Sequence, residues 1–218
     1  MTAFSEKVAT EAEDALDLND RNRELGRVRL IRDIILFIVV AVGLGIGSSY
    51  LAINNADKLA VFKVGPWHAW PDASSPKANP YSKADQARRG SLMLGSAEGI
   101  AFVAETDDEG TPLDGGCQYR ITGSELPARI WTVTLANMNG TLVENPSERF
   151  GYHSQNVARI NGSEFEIVTG PDVSGGDWLK SEANKPFKLI FRLYETPHAS
   201  GDGYSEIRLP QIAWMSCQ

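Results

Sequence analysis

The chain has 218 residues, a net charge of −7 and two cysteines. That balance gives no basic stripe for nucleic acid, and two cysteines are too few for a fold built on disulfides alone. Outside the apolar N-terminal region about 165 residues remain, enough for one domain with its own core.

Met1–Asp20 holds six acidic residues against Lys7, and Arg21, Arg23, Arg27, Arg29 and Arg32 follow. Ile34–Ile53 then runs without a charged residue. At about 1.5 Å per helical residue it crosses a hydrocarbon core of ~30 Å. It is longer than the apolar region of a cleaved signal peptide and has 33 residues ahead of it. Only Lys58 and Lys63 are basic in the twenty residues that follow. Positive charge stays on the cytoplasmic side. The expected layout is a cytoplasmic tail over residues 1–33, acidic then Arg-rich, a transmembrane helix over 34–53, and the rest outside. Gly43 and Gly47 are spaced for close helix approach, which raises helix-mediated self-association as an expectation.

Leu59–Val64 has the composition of a first strand. Gly65–Pro80 is proline-rich, so residues 54–80 are expected as an extended membrane-proximal segment. Trp67, His68 and Trp70, with Tyr81 nearby, concentrate aromatic rings there. They anchor this segment to the domain or, with Trp178, offer a partner or ligand surface. Ser82 reads as the N-cap of a short helix over Lys83–Arg89, stopped by Gly90.

From there to the C-terminus the period is two. Trp131, Val133 and Leu135 alternate with Ile130, Thr132 and Thr134, and Phe187, Leu189, Phe191 and Leu193 with Lys188, Ile190, Arg192 and Tyr194. Phe165 and Ile167 alternate with Glu164 and Glu166. Turn signals stand at Asp107–Gly110, Asn139-Gly140 and Asn161-Gly162. Both Asn-Gly sites also fit the N-glycosylation pattern, but a hairpin turn explains them without it. Pro210 makes Glu206–Cys217 an edge strand. The fold class is mainly β: a jelly-roll-like β-sandwich over residues 81–218 with one or two short helices, behind a single N-terminal transmembrane helix. Outside the cytoplasm Cys117 and Cys217 read as a disulfide.

Signatures of known chemistry are sparse in the chain. His68, His153 and His198 have no metal-ligand spacing. There is no phosphate loop, no nucleophile elbow and no catalytic cysteine context. Glu98, Glu105, Asp177 and Glu195 lie near strand ends, each read first as a solvated charge. No catalytic, metal or cofactor-binding residue is assigned, no cofactor is expected, and the reading leans away from an enzyme.

Six stretches in this order, Val64–Pro71 (VGPWHAWP), Ala87–Phe102 (ARRGSLMLGSAEGIAF), Cys117–Ile121 (CQYRI), Leu126–Pro146 (LPARIWTVTLANMNGTLVENP), Gly176–Lys180 (GDWLK) and Phe187–Pro197 (FKLIFRLYETP), resemble the bacterial "domain of unknown function 1214" family in its short membrane-anchored form. Lys180 departs from the family's usual Trp-Leu-Pro. The resemblance implies a β-rich domain in the bacterial envelope, often found with a "domain of unknown function 1254" protein, and supplies no functional residues. The expected function is a non-enzymatic interaction module in the inner membrane, N-terminus cytoplasmic and domain periplasmic, with a companion envelope protein as partner. The alternative is a carbohydrate-binding or carbohydrate-active domain.

Overall fold

The computed structural model describes residues 29–54, 62–70, 78, 80–89, 94–95, 98–197 and 207–217. The chain divides into two units, Met1–Asn54 and Asn55–Gln218. The acidic tail and the first three of its arginines lie outside the described residues.

Among the described residues of the first unit, helix α1 spans Arg29–Asn54 and is long and apolar enough to cross a membrane. It begins five residues before the uncharged run, so it takes in Arg29, Arg32 and Asp33. The Arg32 guanidinium lies 2.8 Å from the Asp33 carboxylate.

The second unit is a β-sandwich. One sheet has six strands: β1 (Phe62–Val64), β2 (Trp67–Ala69), β3 (Gly99–Ala104), β5 (Ile130–Asn137), β6 (Gly151–His153) and β10 (Phe187–Tyr194), in the order β1-β2-β3-β10-β5-β6. The other holds β4 (Cys117–Gly123), β7 (Arg159–Ile160), β8 (Glu164–Gly170), β9 (Asp177–Lys180) and β11 (Gln211–Cys217), in the order β11-β4-β8-β7, with β9 parallel to β8. All other pairings are antiparallel. The chain passes from β3 to β4 and back to β5 across the sheets, then returns through β8 to β10. This crossing gives the sandwich its jelly-roll-like character.

Strict alternation builds the core. In β10, Phe187, Leu189, Phe191 and Leu193 are buried and the residues between them half-buried. Their register partners on β5 include Leu135, Val133 and Trp131, which face the same way. Trp131 then joins the two sheets, its ring 4.4 Å from Phe165 of β8 and 5.4 Å from Phe191. At one side the Tyr152 hydroxyl accepts the Trp178 N–H at 3.0 Å, tying β6 to β9.

Two boundaries differ from the sequence reading. Among the described residues the sandwich includes Phe62 onward, because β1 and β2 form a hairpin whose second strand pairs with β3. Phe62–Val64 lies within the expected first strand, and Trp67–Ala69 is sheet rather than extended membrane-proximal segment. The short helix, α2, spans Pro80–Arg89 and starts before Ser82; a proline's fixed φ and missing N–H suit a first helical turn.

The turn signals are realised in part. Asn161 and Gly162, with φ of 50° and 91°, close the β7–β8 hairpin. Asn139-Gly140 makes a tight turn back onto Ala136, but the partner strand β6 comes only at Gly151. β11 is an edge strand, and the Cys117–Cys217 disulfide joins register partners at its end.

Candidate functional site

The tryptophans named from the sequence do not form one surface. Trp67 is 1 % exposed; its indole donates to the Pro210 carbonyl at 2.6 Å and its ring lies 5.7 Å from Phe191. It anchors β2 in the core and presents nothing to a partner, a correction to the surface reading. Trp178 sits on the five-stranded sheet in register with Val168, its buried indole N–H without a hydrogen bond. Trp70, half-buried, directly follows β2 of the six-stranded sheet, its ring 5.0 Å from His68.

The carboxylates near strand ends have structural partners where hydrogen bonds define them. Glu195 pairs with Arg129 at 2.8 Å, Asp177 accepts the Ala158 N–H at 2.6 Å, and Glu98 accepts that of Gly95 at 3.1 Å. His68 and His153 share a sheet face but stand four strand steps apart, about 19 Å at ~4.8 Å per step. They cannot share a metal ion, and no metal-holding group occurs among the described residues. His198 lies outside the described residues.

The distinctive surface is the outer face of the six-stranded sheet. Its strands read FKV, WHA, GIAFVA, FKLIFRLY, IWTVTLAN and GYH, with no Asp or Glu. From Asn54 onward, acidic residues nonetheless outnumber basic ones by 20 to 15. The other sheet is mixed, carrying Glu164, Glu166 and Asp177 beside Arg120, Arg159 and Lys180.

Register places the outward residues in rows. One row reads Lys63, His68, Val103, Ile190, Thr134 and Gly151 across β1, β2, β3, β10, β5 and β6. The next reads Ala101, Arg192, Thr132 and His153, with Trp70 beside Ala101 because Ala69 pairs with Phe102. Tyr194 lies opposite Gly99 in the row beyond. Strand β3 thus contributes the small outward residues Ala101 and Val103, and begins at Gly99. A Cβ on Gly99 would lie 2.1 Å from the Leu193 carbonyl, so no side chain fits there. The result is a shallow trough along β3, with His68 and Trp70 on one bank and Ile190, Arg192 and Tyr194 on the other.

Arg192, half-buried between Ala101 and Thr132, has no ion pair or hydrogen bond among the described residues. Such a guanidinium on a carboxylate-free face suits an anion. The alternation in β10 exposed Arg192 and Tyr194 to view, but nothing in sequence alone set them beside Trp70.

The perturbed acids lie elsewhere. Desolvation raises the Asp108 carboxyl above the ordinary carboxylate range, opposed by the Ile212 N–H it accepts at 2.9 Å and reinforced by neighbouring Asp107. This contact, with the Asp108 N–H donating to the Ile212 carbonyl at 3.0 Å, covers the open edge of β11. Burial raises the Tyr119 phenol, whose oxygen accepts the Asp114 N–H. Both groups serve the fold.

No curated protein is similar to the chain in sequence. The VPA0106 protein from Vibrio parahaemolyticus, solved by crystallography, shares the fold with a TM-score of 0.52 and 20% identity over 63% of this chain. The match spans 36% of the Vibrio protein, about a third of its length. An uncharacterised protein from Burkholderia cenocepacia aligns at 13% identity over 82% of this chain and 52% of its own, with a TM-score of 0.37 too low to carry an argument. Residues 98–198, from the start of β3 to just past β10, match the family model described as "Protein of unknown function (DUF1214)". Over that stretch the chain is similar to the DUF1214 family.

Proposed function

We propose that this protein is a membrane-anchored, non-enzymatic binding module of the bacterial envelope, the short anchored form of its family. In this reading α1 holds it in the inner membrane, residues 1–33 face the cytoplasm, and the sandwich stands in the periplasm. The arginines before the apolar run support that orientation, and the Cys117–Cys217 bond fits an oxidising compartment. The partner is a companion envelope protein of the domain of unknown function 1254 type.

The carboxylate-free outer face of the six-stranded sheet carries the proposal. An antiparallel sheet with one face on the core commonly leaves the other to water, usually with mixed charges. Here basic, aromatic and aliphatic side chains share that face and acids are excluded from it. Crosslinking in intact cells, followed by purification and mass spectrometry, tests the reading. Recovery of an envelope protein joined to the six-stranded sheet is the expected result; background recovery alone refutes it.

The second reading, a carbohydrate-binding domain, is favoured by one observation. The trough along β3 sets an aromatic bank, Trp70 with His68, opposite an arginine and a tyrosine.

A further inference from the structure

We infer that the trough along β3 is a binding site for an anionic saccharide, a sugar bearing carboxylate or phosphate groups. The inference rests on the outer face of the six-stranded sheet being the recognition surface and names the chemistry recognised there.

Three observations converge. First, the banks of the trough stand on β2 and β10, two strand steps or about 10 Å apart. Between them the floor is Ala101 and Val103, half-buried. A depression of that width takes a sugar ring between its banks.

Second, the banks differ in kind. Trp70 meets His68 edge to face at 5.0 Å, giving an apolar wall against which the C–H face of a pyranose packs. Across Ala101, Arg192 presents a planar fork of donors with no protein acceptor among the described residues. Arginine is the side chain best matched to carboxylate and phosphate oxygens.

Third, the absence of carboxylates selects between sugars. A hydroxyl-rich neutral ring is held best by carboxylate acceptors, and the six strands offer none. An anion gains from Arg192, with Lys63 and Lys188 on the same face, and meets no acidic side chain within the six strands.

The experiment uses the full-length protein in nanodiscs of zwitterionic lipid and isothermal titration with hexagalacturonate, maltohexaose and a poly-glutamate peptide. Hexagalacturonate binds, more weakly as salt rises, and maltohexaose does not. Arg192→Gln weakens binding by about tenfold or more, the loss expected for a charge-assisted hydrogen bond, whereas Arg192→Lys keeps part of the affinity. Arg120→Gln on the opposite sheet leaves affinity unchanged. Trp70→Ala also weakens binding, and thermal unfolding of each variant shows that the domain is folded.

No binding of hexagalacturonate at millimolar concentration, equal binding of maltohexaose, or full affinity in Arg192→Gln each overturns the inference. Binding of poly-glutamate in preference to the saccharide overturns it too, while leaving the interaction-module reading intact. If neither probe binds but crosslinking still captures a protein on this face, the saccharide inference alone fails. If crosslinking also returns background, both fail.

Discussion

Replacing Cys117 and Cys217 together by serine removes a crosslink between residues 100 apart in sequence. In the chain-entropy model, closing a loop of that length restricts the unfolded chain by up to about 4.7 kcal/mol. Stabilities of domains are typically about 5–15 kcal/mol, so the bond carries a third or more of a typical margin. The folded strand keeps other attachments: the β4 ladder, the Trp67 indole on Pro210, and the two hydrogen bonds between Asp108 and Ile212. The folded state should therefore survive, and the loss should appear in the equilibrium. At about 2 kcal/mol per molar urea, the midpoint falls by roughly 2 M. All five tryptophans lie beyond residue 54, so their fluorescence follows the sandwich without a signal from α1. A midpoint within about 0.3 M of the wild type, far below the shift expected from the m-value, would refute the loop-closure argument.

Other perturbations test the packing and the titrating groups. Trp67→Phe keeps a ring in the core but strands the Pro210 carbonyl, a loss of about 1–2 kcal/mol in urea unfolding; an unchanged midpoint would show that hydrogen bond to be dispensable. Trp131→Ala opens the aromatic contact between the sheets and should lose about 3–5 kcal/mol. Tyr119 has a raised phenol, so its contribution is full below the unfolded value near 10 and is lost as pH rises through the folded value. Wild-type stability should therefore fall as pH rises above about 10 more steeply than that of Tyr119→Phe, and parallel profiles would contradict the assignment. Asp108 is raised as well, so its contribution is full below about pH 4 and declines as pH rises through its folded value. Asp108→Asn should make stability rise more steeply with pH across that range, and the same slope in both proteins would exclude the desolvation argument.

Much of the fold was legible because its signals are local. The alternation in Phe187–Tyr194 places its buried and half-buried residues as observed, and Asn161-Gly162 is a hairpin turn. The pairing of the two cysteines was expected from their even number and from the domain being read as lying outside the cytoplasm. Trp67 was harder, because its surroundings are proline-rich while the group that accepts its N–H, Pro210, lies 143 residues further on. The site failed to show for a related reason. Every strand lacking Asp and Glu can be read in the sequence, but β3, β10 and β5 are neighbours only after the chain has crossed between the sheets. Until that order is known, Trp70, Ala101 and Arg192 are three unrelated residues.

The central claim is that recognition occurs on the outer face of the six-stranded sheet. Its most direct test is site-specific photo-crosslinking in living cells, with the photoreactive residue at Ile190 on that face or at Thr122 on the outer face of the opposite sheet. The account predicts a discrete adduct from position 190 and none from position 122. Adducts of equal yield from both positions, or from position 122 alone, would contradict it.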